Sequence, residues 1–196
     1  MYEFEATADL ILMNGQAKTA LQHRTEDALS EAGLIEAVLA GDRDKYGRLY
    51  GLYSPLVHGI LLARVPRSEA EDLVQDIFLH ALKKLHTLRD LNAFGPWIGM
   101  IARNRAMDFH RRTRETVEVS DNLKSSDATE TKAAEILEII KSLPDAYRET
   151  LVLRLVEGMT GPEIAMRTGL TAASVRVNLH RGMKLLREKL GFKEGM

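Results

Sequence analysis

The stretch TGPEIAMRTGLTAASVRVNLHRGMKLLR, Thr160 to Arg187, decides the fold class. Thr160 and Glu163 stand at capping-box spacing, where each side chain satisfies the other's exposed amide at a helix start. A short helix around Glu163–Arg167 follows, with Ile164 and Ala165 on its inner side, and Gly169 permits a tight turn. Leu170 is expected to pack under that turn, and Thr171 to cap the next helix. Val175 and Leu179 would hold this second helix to a core, while Ser174, Arg176, Asn178, His180 and Arg181 face outward. Two helices at this spacing make a helix-turn-helix, whose second helix enters a DNA major groove with its first turns against the base edges. Arg and Asn there make bidentate contacts to guanine and adenine, whereas Lys184 and Arg187 suit phosphates. A plain helical hairpin with a polar face is the competing interpretation. Two caps, a turn glycine and the placement of the basic residues favour DNA. Gly182 is expected to loosen the second helix by roughly 1 kcal/mol relative to alanine.

Upstream of this motif the helical period persists. A first helix is expected to start at a Ser30 cap, bury Leu34, Ile35, Val38 and Leu39, and stop at Gly41. A second follows Asp42, with Tyr46, Leu49, Tyr50 and Tyr53, then Leu56, Val57, Ile60 and Leu61 on one side; Pro55 is expected to kink it and Pro66 to end it. Ser68 and Glu71 read as a capping box for a third, whose stripe of Leu73, Val74, Ile77, Phe78, Ala81, Leu82 and Leu85 is core. Its other side carries Glu69, Asp72, Asp76 and His80. A fourth helix, with Asn92 as its expected cap, presents Phe94, Trp97, Ile98, Ile101 and Phe109 inward and a cluster of arginines outward. From 113 to 132 almost nothing apolar remains, the composition of a flexible acidic tether. Helical periodicity resumes over Ala133–Ser142 and Asp145–Glu157, the latter expected to turn Leu151, Val152, Leu155 and Val156 inward. The expected architecture is all-α: an extension (1–29), a helical domain (30–112), a linker (113–132) and a helix-turn-helix domain (133–196).

Composition excludes several function classes. The 196 residues are 45% apolar and 28% charged, as in a globular protein, with no run near the roughly 20 apolar residues of a membrane span. Absence of cysteine removes disulfides, thiolate metal sites and thiol nucleophiles. His80 and His86 are not at one-turn spacing, no His-Glu-x-x-His sequence occurs, and no glycine-rich phosphate loop follows a strand. No enzyme activity, metal or cofactor is therefore expected. The N-terminus lacks the basic start and long apolar core of a signal peptide, so a cytoplasmic location is expected. The formal net charge of −1 hides two local basic stretches: Arg103, Arg105, Arg111, Arg112 and Arg114, then Arg176, Arg181, Lys184, Arg187 and Lys189. Affinity for phosphate depends on such local clusters more than on the sum.

With these motifs in order, the chain from about Ser30 to Leu190 resembles the extracytoplasmic-function (ECF) sigma factors of bacterial RNA polymerase. SEAEDLVQDIF (Ser68–Phe78) is similar to that family's polymerase-binding helix. WIGMIARN (Trp97–Asn104), with Asp108 and Arg111-Arg112, is similar to its reader of the minus-ten promoter element. Leu143-Pro144, Glu157-Gly158-Met159, Glu163-Ile164-Ala165 and Ser174-Val175-Arg176 through His180-Arg181 resemble its minus-thirty-five reader. The resemblance implies that Glu69, Asp72, Gln75 and Asp76 dock on the clamp helices of core polymerase, with the second domain at the flap. It implies that the loop His86–Asn92, Arg89 and Asn92 included, captures an unstacked base. Arg103, Asn104, Arg111 and Arg112 would then hold the opening duplex, and Thr171, Ser174, Arg176, Asn178, His180, Arg181 and Lys184 the upstream element. Phe94 and Trp97 are placed for stacking on DNA or, by their spacing with Ile98 and Ile101, for burial. Glu115, Glu118, Asp121, Asp127 and Glu130 would line a polymerase channel. Val177, Asn178, Gly182 and Met183 depart from the polar or basic residues usual in the family's recognition helix, which leaves the promoter sequence open. An anti-sigma partner, a stress-response role and a monomeric free state are further implications. The alternative function is a repressor or activator that binds an intact operator without polymerase; a protein-binding adaptor using the acidic face is a third.

Overall fold

The computed structural model describes residues 30–116 and 128–191. The extension 1–29 and most of the expected tether lie outside the described residues, as do the side chains of Glu115, Glu118, Asp121, Asp127 and Glu130. Among the described residues every regular element is helical: α1 (Glu31–Leu39), α2 (Arg43–Leu62), α3 (Arg67–Lys84), α4 (Phe94–Thr116), α5 (Ala128–Lys141), α6 (Asp145–Leu155), α7 (Gly161–Thr168) and α8 (Ala172–Lys189). Two 3-10 turns, Leu85–Thr87 and Leu91–Ala93, join α3 to α4.

Local signals set most of the boundaries. The Ser30 hydroxyl accepts from Gly33 N at 3.2 Å and Asp42 Oδ1 from the amides of Asp44 and Lys45, so α1 and α2 start where short polar side chains replace missing backbone acceptors. α2 contains Pro55 within its span and ends at Leu62, ahead of Pro66. The expected Ser68–Glu71 box is not formed: α3 begins at Arg67, two residues earlier than a Ser68 cap requires, with Pro66 as N-cap and no side-chain cap. The fixed φ of proline (−58°) suits the extended cap position, and the Pro66 carbonyl takes the first bond, from Glu69 N at 3.1 Å.

Asn92 does not cap α4 either. It sits inside the preceding 3-10 turn and donates its amide to Asp90 Oδ1 at 3.0 Å. The start of α4 is held from elsewhere: Glu31 Oε1, on α1, accepts from Phe94 N at 3.1 Å, and Glu31 Oε2 accepts from the Tyr53 hydroxyl. Burial, and then the neighbouring Glu31 carboxylate, push the Tyr53 phenol well above its ordinary value. Phe94 is fully buried, edge-on to Tyr53 at 4.9 Å, so it does not stack on DNA. Trp97 is partly buried against the same cluster.

Several residues expected inside lie outside. Leu39 and Leu82 are exposed, each at the margin of a stripe whose centre already fills the space beneath the helix. Tyr50 is also exposed, with its ring 4.6 Å from that of Phe78. Leu155, Val156 and Leu170 are exposed as well. In α6 the five residues Glu149 to Leu153 are buried consecutively, which requires cover on both sides of the helix. One side faces α8, where a Cβ on Gly182 would lie 3.0 Å from Leu151 Cδ1 and 3.2 Å from Tyr147 Cβ. Gly182 is thus a point of close helix approach. The other side of α6 faces α2, and the buried apolar residues of both helical units form one contiguous cluster.

In the C-terminal unit Thr160 and Glu163 form the expected box: Thr160 N donates to Glu163 Oε2 at 2.7 Å, and Glu163 N to Thr160 Oγ1 at 3.4 Å. The Thr160 amide and hydroxyl hold the Glu163 carboxyl below its ordinary value. Gly169 ends α7 at φ +77°, a conformation that side-chain-bearing residues adopt only with strain.

Two outcomes follow. Glu31→Ala removes a partly buried acceptor of two hydrogen bonds and should lower unfolding free energy by about 1–3 kcal/mol in urea titrations, whereas Glu36→Ala, exposed on the same helix, should stay within about 0.5 kcal/mol. Because the folded-state pKa of Glu163 is depressed, its contribution is present above the ordinary glutamate range and is lost as pH falls through the lowered value. The stability difference between the native chain and Glu163→Ala should therefore be present at neutral pH and vanish in acid.

Candidate nucleic-acid interface

α3 separates its residues cleanly. Ala70, Val74, Ile77, Phe78 and Ala81 are buried, while Glu69, Asp72, Gln75, Asp76 and His80 are exposed. The acidic face is thus held by a helix whose opposite side belongs to the core.

In the α3–α4 connection Leu85 is buried and Leu88 and Leu91 pack on the core, leaving His86, Thr87, Arg89, Asp90 and Asn92 exposed. Leucines at this spacing pin the loop while its polar side chains point to solvent. Asp90 Oδ1 also lies 3.5 Å from Asn92 Nδ2.

α4 carries the first basic cluster. Asn104, Arg111 and Arg112 are exposed, and Arg111 pairs one turn back with Asp108 at 3.0 Å. Arg103 is different. Its Nε and Nη2 donate to the two carboxylate oxygens of Glu149, on α6, at 3.0 and 2.6 Å. The hydrogen bond to Glu149 raises the Arg103 pKa over the opposing effect of burial.

Glu149 is 6% exposed and takes a further hydrogen bond from Arg64 Nη2, at the end of α2, at 2.7 Å. Arg64 also bridges to both Asp145 oxygens at 3.0 Å, and Arg148 to Asp145 at 2.6 Å. Burial acts to raise the Asp145 pKa, but the hydrogen bond from Arg148 and the charge of Arg64 outweigh it and hold the carboxyl low. Arg64, Arg103, Asn104, His110, Arg111 and Arg148 line a cleft of about 880 Å³ between the two units. Sequence reading singled out neither Glu149 nor Arg64: a carboxylate within an apolar helix becomes informative only once its partners, 46 and 85 residues away, are known.

The recognition helix α8 follows the three-residue turn Gly169–Thr171. Thr171 caps it, accepting from Ser174 N at 3.1 Å, with the two hydroxyls 2.8 Å apart. Val175, Gly182 and Leu186 are buried. Thr171, Ser174, Arg176, His180, Arg181 and Lys184 are exposed, and Asn178 is half-buried. Arginines one to two turns apart on an exposed face suit base edges and flanking phosphates. Among the described residues no cluster of His, Cys, Asp and Glu is suited to a metal ion, and no helix is long and apolar enough to cross a membrane.

Comparison with known proteins places two family models on the chain. Residues 49–116 match the family model for Sigma-70 region 2 and residues 133–186 that for Sigma-70, region 4. The chain is 32% identical over 167 residues to the RNA polymerase sigma factor CarQ of Myxococcus xanthus, covering 80% of this chain and 95% of CarQ. It is 30% identical over 185 residues to the ECF RNA polymerase sigma factor BldN of Streptomyces coelicolor, covering 84% of this chain and 69% of BldN. Its fold is similar to that of CnrH, solved in complex with the cytosolic domain of CnrY, with a TM-score of 0.60 and 23% identity over 84% of this chain and 99% of CnrH. Sigma factors are polymerase subunits without catalytic activity of their own, and the alternative of a free-standing operator-binding regulator is not favoured. A region 2 with its acidic helix and arginine-bearing α4, followed in the same chain by a region 4 helix-turn-helix, identifies the chain as a member of the ECF sigma factors of bacterial RNA polymerase.

Proposed function

We propose that this chain divides the work of a sigma factor among its surfaces as follows. Residues 30–112 form the polymerase-binding and minus-ten domain and 133–196 the minus-thirty-five domain, joined by 113–132. Glu69, Asp72, Gln75 and Asp76 engage the clamp helices of core polymerase. Arg89 and Asn92 belong to the loop that receives a base of the opening strand, where a protein pocket and phosphate contacts offset the few kcal/mol of lost stacking. Arg103, Asn104, Arg111 and Arg112 take phosphates of the melted region. Thr171, Ser174, Arg176, Asn178, His180, Arg181 and Lys184 read the upstream duplex. The chain acts in the cytoplasm, as a monomer when free, and an anti-sigma factor restrains it; CnrH, of similar fold, was solved with the cytosolic domain of a second protein.

The observation that carries this reading is the two-sidedness of α3 and α8. Each commits one side to the core and leaves the other, acidic on α3 and basic on α8, in solvent. An acidic face repels DNA and attracts a basic protein surface; a basic face does the reverse.

The purified chain mixed with sigma-free core polymerase should bind it and support promoter-specific run-off transcription from a pool of genomic fragments. Asp72→Ala with Asp76→Ala should weaken both. Arg176→Ala and Arg181→Ala should leave core binding intact and weaken promoter selection, by about 1–3 kcal/mol for each lost bidentate contact. Core binding that survives the aspartate changes undiminished would remove the polymerase role from α3.

A further inference from the structure

α8 buries Val175, Gly182 and Leu186, and Leu179 packs partly on the core beside them. At about 100° per residue, Ala173 and Val177 stand roughly opposite that buried line and one turn apart. Both are exposed, Val177 to 41%. His180 and Arg181, also exposed, follow one turn later on either side of Val177, and Lys184 continues the same line. Val177 therefore occupies the middle of the face that the basic residues frame.

Single exposed apolar residues are ordinary on protein surfaces, but two properties set this one apart. A β-branched side chain at an exposed helix position lowers helical stability relative to alanine, and no burial offsets that loss here. Its neighbours on the same face are the side chains suited to DNA. Neither packing nor helix propensity accounts for a valine at this place.

In a major groove an apolar side chain has one favourable counterpart. Adenine, guanine and cytosine present only hydrogen-bonding groups there, whereas thymine adds a C5-methyl group. A valine pressed on the cytosine amine or on the guanine acceptors excludes water and returns no hydrogen bond, which is costly. Against a thymine methyl it withdraws two apolar surfaces from water instead. One contact thus favours thymine and disfavours the other bases. Valine is short, so the helix must come close, and Ala173, one turn nearer the helix start, has no side chain long enough to hold it away.

We propose that Val177 is a specificity-determining residue of this chain, reading a thymine C5-methyl group in the upstream promoter element, with Ala173 permitting the close approach. This rests on the assignment of α8 to that element made above.

The test uses holoenzyme assembled from sigma-free core polymerase and the full chain. Promoter fragments with a randomised upstream segment are selected by binding. Each thymine of the enriched sequence, on either strand, is then replaced singly by deoxyuridine, which removes only the methyl group. At one thymine or more, replacement should weaken binding of the native holoenzyme about two- to fivefold, the ratio expected for one buried methyl group. Val177→Ala, which shortens an exposed side chain and favours the helix, should bind thymine and deoxyuridine alike at that position. Arg176→Ala, about 100° round the helix, should weaken binding to both and keep their ratio. An enriched sequence without thymine, or replacement without effect at every thymine, overturns the proposal and leaves α8 as the reader. A ratio that persists in Val177→Ala gives the methyl to another residue and overturns the role of Val177. No enrichment of any upstream sequence, with core binding retained, overturns the assignment of α8 itself and the proposal with it.

Discussion

Much of this structure depends on the Glu149 carboxylate, buried and met by three N–H donors from two arginines of the other helical unit. An ionised carboxylate removed from water is stable only when its oxygens are hydrogen-bonded and its charge is opposed. α6 supplies neither from within itself. Arg64 and Arg103 supply both, and in doing so they fix the side of α6 that faces α2 and α4. The consecutive burial of Glu149 to Leu153, the exposure of Leu155 and Val156 just beyond, and the glycine contacts at Gly59 and Gly95 are consequences of one helix being enclosed from two directions.

What the sequence disclosed was local. Ser30, Asp42, Thr160 with Glu163, and Thr171 cap their helices through bonds that reach two or three residues, and Gly169 turns where a left-handed residue is needed. Capping was misread where the acceptor came from elsewhere. Asn92 has a suitable side chain, yet the α4 amide is taken by Glu31, 63 residues earlier. Ser68 and Glu71 have the right spacing, but Pro66 determines the entry to α3 first. Periodicity misplaced Leu155 and Val156 because it assumes that a helix has one buried side. Gly182, which propensity alone marks as a weakness, permits the approach of α8 to α6 at Leu151.

The candidate site was legible to the extent that its residues are surface residues. An exposed side chain on an amphipathic helix is found by subtracting the apolar stripe, and the acidic residues of α3 and the basic ones of α8 emerge that way. Position relative to other elements does not. Arg103 and Arg111 stand two turns apart on α4 and are equivalent in sequence, but Arg111 pairs with Asp108 on its own helix whereas Arg103 reaches across to α6. A surface pair one turn apart contributes little and exchanges readily with solvent ions, while a partly buried pair joined at two points is held in one geometry.

That difference bears on what holds the two units together. Arg103 and Glu149 would each regain hydration if exposed to water, so their ion pair gives back about what its desolvation costs and contributes little net free energy. The firmness of the contact comes from the apolar packing around Leu153 and Gly59, where area is withdrawn from water. Geometry chooses the register through Glu149, and packing sets how firmly it holds.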